Sequence, residues 1–164
     1  MSSLRQDGAL NNLSLRQVIL TIQSAFLHVL LTTGGLAIKT GGSAIVKTAN
    51  TISYMINGVA YTKAAADMAA LSGTVTNAKF NVFCFYVDAA GTLTTRMGTE
   101  AATKAAIVYP AHIDGAVMIG FVIINPTGTG NFVGGTTPLD DATVVPNAVY
   151  VNTIGGFIPG IVDL

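Results

Sequence analysis

Hydrophobic residues near the start of the chain recur with the period of an α-helix. Ser14 and Gln17 match a capping box, and Gly34 and Gly35 provide a stop signal. This pattern predicts an amphipathic helix of about four turns that begins at Ser14 and ends near residues 32–35. Its heptad stripe consists of Leu15, Val18, Ile22, Ala25 and Val29. These five residues are expected to pack on the chain's own domain or to contact another molecule, such as a copy of the same helix.

The following segments carry the patterns of β-structure. Asn57-Gly58 lies between residues 51–56 and 59–63 and favours a two-residue type I′ hairpin. Residues 80–87 and 116–125 are almost wholly apolar and β-branched or aromatic, which predicts strands buried on both faces. Their expected core residues are Phe80, Val82, Phe83, Phe85, Ile119, Phe121 and Ile123.

Other elements are signalled more locally. A micro-repeat, GGLAIKT followed by GGSAIVKT, predicts two short strands, each after a glycine pair. Residues 64–71 and 99–106 read as short helices, while residues 92–96 and 144–151 read as strands.

Together these elements define the expected fold class. It is mainly β with an N-terminal α-helix, and the β part is a compact β-sandwich or barrel-like domain with one or two short helices. Residues 1–34 form an N-terminal arm with the amphipathic helix, and residues 35–164 form the β-rich domain.

Composition points to assembly. Of 164 residues, 51% are hydrophobic and only 10% are charged, and the net charge is zero. A domain with so few charges cannot cover its exterior with polar groups, and large exposed apolar patches mark contact surfaces. Obligate assembly is therefore expected, the alternative being the poor solubility of an incomplete fragment. The balanced charge and the lack of interleaved basic and aromatic residues disfavour a nucleic-acid partner.

Candidate chemistry is sparse. Lys39 and Lys47 follow β-branched residues, whereas a phosphate-binding loop needs glycine directly before its lysine. His28 and His112 lack partners at metal-ligand spacing, and Cys84 is expected to be a buried small hydrophobe. Asp140 and Asp141 could contribute to a calcium site, but two adjacent acids in a loop are more often only solvated. No enzyme, cofactor or metal is predicted.

No membrane segment or secretory signal is expected. The apolar run of residues 18–31 is too short to span a bilayer and contains Gln23 and His28.

The order of turns and strands resembles a group of small tailed-phage virion proteins. The resemblance rests on Gly58, then Lys63-Ala64-Ala65 with Asp67, then the strand end at residues 86–91, and spans roughly residues 34–152. It continues through Gly120–Asn125, Phe132 and Gly135–Leu139. These motifs are structural turns and strands, not catalytic signatures.

The resemblance implies a capsid decoration, cement or head-fibre protein on the capsid exterior of the virion, made in the host cytoplasm. Such proteins form symmetric homo-oligomers, most commonly trimers, and the expected partners are copies of the chain and the major capsid protein. The helix stripe would then make the oligomer or capsid contact. The alternatives are a tail or fibre component and a carbohydrate-binding β-sandwich module, for which five tyrosines and no tryptophan are a thin supply. An enzyme would require the histidines or Asp140 and Asp141 to converge in a cleft.

Overall fold

The computed structural model describes residues 15–16, 27–40 and 43–156. Within them the chain is mainly β, with strands that pair antiparallel in every sheet. The elements are β1 (His28–Leu30), β2 (Leu36–Ile38), β3 (Val46–Thr48), β4 (Ile52–Ile56), β5 (Val59–Lys63), β6 (Thr74–Val75), β7 (Asn81–Asp88), β8 (Leu93–Met97), a 3-10 helix (Lys104–Ala106), β9 (Ala116–Ile124), β10 (Phe132–Val133) and β11 (Val149–Asn152).

A four-stranded sheet, in the order β11-β9-β7-β8, lies at the centre of the described structure. One of its faces packs on a three-stranded sheet, β1-β4-β5, and on the small sheets β2-β3 and β6-β10. This layered antiparallel packing is consistent with a β-sandwich. The opposite face of the central sheet is covered by residues 98–115, which cross it largely without regular structure.

The central strands are buried on both faces, as predicted. All residues of β9 are buried, and in β7 only the terminal Asp88 is not. The predicted core residues are buried with one exception, since Phe80 is partly exposed at the start of β7. Burial on both faces explains why their sequences lack polar alternation.

The β4–β5 hairpin is confirmed. Asn57 and Gly58 form its two-residue turn with φ of 51° and 77°, the left-handed values that a type I′ turn requires. The turn fixes the register, so that Ile56 lies opposite Val59 and Tyr54 lies opposite Tyr61. The rings of this tyrosine pair stack with centroids 5.6 Å apart.

A β-bulge interrupts the central sheet where β7 pairs with β9. The register shifts between Phe85 and Tyr86, which lie opposite Gly120 and Met118. A Cβ atom at Gly120 would lie 2.3 Å from the carbonyl oxygen of Val151. Glycine therefore permits the close approach of β11 at the bulge.

The predicted end of the N-terminal helix is wrong. Leu15, Arg16 and Leu27 have helical backbone, and residues 17–26 lie outside the described residues. Chain from His28 onward is strand, because its backbone pairs with β4. Leu30 is fully buried in the core. This burial and the backbone hydrogen bonds to β4 stabilise the strand more than local helix propensity stabilises a helix.

The alanine-rich segment, residues 64–71, is not helical. Its backbone instead runs along β3: the Thr48 amide donates to the Ala66 carbonyl at 2.9 Å, and the Met68 amide donates to the Val46 carbonyl at 2.8 Å. Burial of Met68 and Leu71 against the core holds the segment there. Tertiary contacts thus override alanine's helix propensity.

Two further boundaries differ from prediction. Helical structure in residues 99–106 is limited to the 3-10 turn Lys104–Ala106, because Thr99 bridges Val108 instead of capping a helix. The last strand begins at Val149 instead of residue 144, since Asp141 turns the chain there.

Candidate interaction surface

The outer face of sheet β1-β4-β5 is the side that points away from the core. In β4 the alternate residues Ile52, Tyr54 and Ile56 are buried, so Ser53 and Met55 point outward. The register places one outward residue opposite another across the three strands. We define the outer face as Val29, Leu31, Ser53, Met55, Ala60 and Thr62.

This outer face carries no charged side chain. Val29 lies opposite Met55, and Met55 lies opposite Ala60, which gives an apolar row across all three strands. An antiparallel sheet with one buried face normally presents polar residues to water on the other. The outer face departs from that rule, as a contact surface would.

Exposed apolar side chains extend the outer face along β1. Leu31 is 48% exposed and follows the strand directly. Gly155 forms a backbone bridge with Leu30, which places Ile154, 66% exposed, beside the same edge. Both stretches of chain that lead out of this region, upstream of Leu27 and downstream of residue 156, continue into apolar sequence.

The predicted contact residues are distributed differently from a single helical stripe. Leu15 is 58% exposed, and Val18, Ile22 and Ala25 lie outside the described residues. Val29 is on a strand, where it contributes to the outer face instead of a helix stripe. Leu31, Met55 and Ala60 were not predicted, although the alternation in ISYMI and VAYTK carries the signal.

The two short strands predicted in the glycine-lysine-threonine repeat are confirmed, and they pair with each other as β2 and β3. Lys39 forms an ion pair with Asp67, and Lys47 reaches the Thr40 hydroxyl at 3.3 Å. Beside them lies an open cavity of about 300 Å³ lined by Lys47, Thr48, Ala49, Ala65, Ala66 and Asp67. Lys47 already contacts Thr40, and Asp67 already pairs with Lys39. Three of the six lining residues are alanines, so few polar groups converge in the cavity as a ligand site would require.

Titratable groups gather under residues 98–115. His112 lies edge-on to Tyr86, and burial, followed by the influence of His28, lowers the pKa of His112. Burial also raises the pKa of Cys84 to about 12, an effect that the neighbouring Tyr86 hydroxyl only partly offsets. The prediction that Cys84 is a buried small residue is confirmed. A thiol with a raised pKa is unreactive, so this cluster lacks an activated nucleophile.

Asp141 stabilises a turn of the chain. The Asp141 carboxylate accepts hydrogen bonds from the Thr143 and Val144 amides at 2.8 and 3.2 Å. Asp140 is exposed and lies near Tyr150. In the part of the chain that the structure describes, no three metal-ligating side chains group together.

No family model, curated protein or solved structure matches this chain. Among the described residues, no helix is long and apolar enough to cross a bilayer.

Proposed function

We propose that this protein is a structural component of a phage virion: a homo-oligomeric capsid decoration or cement protein that binds the major capsid protein. The observation that carries the proposal is the uncharged outer face of sheet β1-β4-β5, from which two apolar stretches of chain continue. The motifs that resemble small tailed-phage virion proteins give the proposal its class. We also propose that the fold consists of an N-terminal helix that ends before His28, followed by a β-sandwich domain.

Size explains why the outer face would be only one part of the contact. The three strands, of three, five and five residues, cover roughly 210 Å², taking about 4.8 Å between strands and 3.4 Å per residue. A stable interface buries about 800 Å² on each partner. The apolar segments around residues 17–26 and 157–164 would supply the remainder. In a trimer, copies linked together would also raise effective concentration at neighbouring lattice sites.

Two experiments test the proposal. Mass measurement of the purified chain at several concentrations is expected to give an oligomer, with a trimer as the commonest arrangement for this kind of protein. Incubation with undecorated phage capsids should then give saturable binding at symmetric positions. A chain that stays monomeric at all concentrations and does not bind capsids contradicts the proposal. Binding confined to tails or fibres would instead identify the protein as a tail or fibre component.

A further inference from the structure

We propose that the edge of β5, unpaired among the residues that the structure describes, is a two-fold contact at which two copies of this chain join their three-stranded sheets into one six-stranded sheet. This contact goes beyond the proposed function, because it concerns how copies meet and not what particle they bind. Three observations support it: the backbone groups of β5 that point out of the sheet, the hydrogen bonds that other segments make to the other sheet edges, and the fit of β5 to a second, antiparallel copy of itself.

The hairpin register determines which backbone groups face outward. In a two-residue hairpin the residues flanking the turn, here Ile56 and Val59, exchange both backbone hydrogen bonds. Bonding and non-bonding positions then alternate, so Tyr61 also bonds inward to β4. The amide and carbonyl groups of Ala60 and Thr62 therefore point away from the sheet. Among the described residues, no backbone segment forms hydrogen bonds with these outward groups.

Each of the other edges of the two larger sheets is hydrogen-bonded to another segment of the described chain. On β8, the Thr95 hydroxyl donates to the Ala69 carbonyl at 2.7 Å. On β11, the Asn152 side chain accepts from the Leu36 amide at 2.7 Å. On β1, Leu30 and Gly155 exchange backbone hydrogen bonds.

The β5 edge carries one of the usual devices that prevent strand addition, a lysine at its end, and lacks the others. Proteins blunt exposed edges with charged side chains, lysine above all, and with proline, bulges or very short strands. The sequence of β5, VAYTK, contains no proline, and its pairing with β4 has no bulge. Its one charge, Lys63, lies opposite the core-facing Ile52 and therefore on the inner face of the sheet. It is at the end of the strand, beside Gly91, and leaves Ala60 and Thr62 without a charge on their own face of β5.

A second copy of β5 fits this edge in one register. Centred on Tyr61, an antiparallel pair places Ala60 opposite Thr62 of the other copy, and the outward groups then form roughly four hydrogen bonds. The two Lys63 side chains fall at opposite ends of the pair, about 14 Å apart along the strands, so like charges do not meet. Tyr61 lies opposite its own equivalent, and facing aromatic pairs stabilise antiparallel strands.

The contact also makes the outer face continuous between copies. Ala60 and Thr62 belong to that face, so pairing across β5 joins the two outer faces into one uncharged surface, in which the apolar row of one copy continues at Thr62 and Ser53 of the other. In a capsid-bound oligomer, the same contact would link neighbouring oligomers on the lattice. This is the isologous geometry of a closed two-fold interface, in which the same patch serves on both copies.

Thr62→Pro tests the contact on the full-length protein. Proline removes an outward amide and is tolerated on an edge strand whose amide faces solvent. Because the contact joins chains in pairs, we expect the unmodified protein to contain an even number of chains, such as two joined trimers, and the variant to have half that mass. The matched control is Thr62→Val, which keeps the amide and the branched shape and should leave the mass unchanged.

Hydrogen exchange on the unmodified protein gives an independent measurement if the proline variant misfolds. The amides of Ala60 and Thr62 should become at least tenfold slower to exchange as protein concentration rises into the associated range. Amides that exchange freely at every concentration, with no loss of mass in Thr62→Pro, overturn the proposal. Protection that appears only on added capsids also overturns it, in favour of a strand from the capsid protein. Capsid binding is measured separately, so failure of this contact and failure of the proposed function remain distinguishable.

Discussion

The ring of His112 lies edge-on to the ring of Tyr86, with centroids 5.7 Å apart. This pair connects the loop that precedes β9 to β7, on the face of the central sheet that residues 98–115 cover. His28, Arg96 and Asp114 are the charged or titratable groups whose influence reaches the imidazole, and Asp114 is the only one of the three that raises its pKa. Burial is the largest cause that lowers the pKa of His112, so folding disfavours its charged form.

Stability should therefore decrease as pH falls below about 6.5, the ordinary pKa of histidine. Because the folded-state pKa of His112 is lowered, the unfolded chain binds its proton first, and the stabilisation present above that pH is lost as pH falls toward the folded-state pKa. Urea unfolding measured from pH 7.5 to 4.5 should show this loss. His112→Phe keeps an aromatic ring beside Tyr86 and should flatten the curve. An unchanged pH dependence in this variant would assign the effect to another group.

Cys84 should resist thiol reagents in the folded protein. Burial raises its pKa to about 12, so the thiolate is scarce at pH 8, and its side chain is fully inaccessible. Reaction with a colorimetric disulfide at pH 8 is expected to follow the rate of unfolding. The urea-unfolded chain is the control and should react at once. Rapid stoichiometric labelling of the native protein would contradict the packing of this face.

Gly120→Ala should destabilise the fold at the bulge. The added Cβ atom would lie 2.3 Å from the Val151 carbonyl oxygen, so β11 must move, at a cost of about 1–3 kcal/mol. Gly115→Ala is the control, because no atom lies within 4 Å of its new Cβ and only its positive φ is strained. Chemical denaturation should rank Gly120→Ala as the more damaging change. Equal effects would mean that β11 does not pack closely on the bulge.

Met55→Asp tests the outer face. Met55 is half-buried on the side away from the core, so the free energy of unfolding should change by about 1 kcal/mol or less. A charge in the centre of an apolar contact should nevertheless weaken self-association or capsid occupancy at least tenfold. Ala102→Asp adds the same charge to the exposed segment on the opposite side of the central sheet and should leave both unchanged. Normal assembly of Met55→Asp would remove the outer face from the contact.

Ile22→Asp tests the part of the predicted helix stripe that precedes β1 in the sequence. The β-structure should remain folded, as judged by circular dichroism and by the unfolding midpoint, while assembly or particle occupancy falls. If this variant still saturates particles, the helix serves only its own chain. Leu15→Asp, at the other described end of the stripe, should behave in the same way.

Much of the architecture could be predicted from local sequence. Asn57-Gly58 fixed one hairpin because few dipeptides accept left-handed backbone at both turn positions. The two central strands were identifiable because only strands buried on both faces need eight or nine nearly unbroken apolar residues. The low charge favours a contact surface on part of the exterior, and this stays a prediction.

The errors occurred where tertiary hydrogen bonds compete with helix propensity. The alanine-rich residues 64–71 and the chain from His28 onward both have helical patterns, yet each runs along a strand. A ladder to β3 or β4 and the burial of Leu30, Met68 and Leu71 stabilise the extended form, and none of these partners is adjacent in sequence. Local propensity amounts to less than about 1 kcal/mol per residue, so such contacts outweigh it.

The sequence by itself determined that this is a β-rich chain with a surplus of apolar surface, because periodicity and composition are local and additive quantities. Only the tertiary structure decided where that surplus lies. Val29 and Met55 share the outer face because β1 pairs with β4 in one register, and Ala60 and Thr62 lie at an open edge because nothing in the described chain follows β5 in its sheet. Register and sheet order depend on contacts between distant residues, which no local pattern specifies.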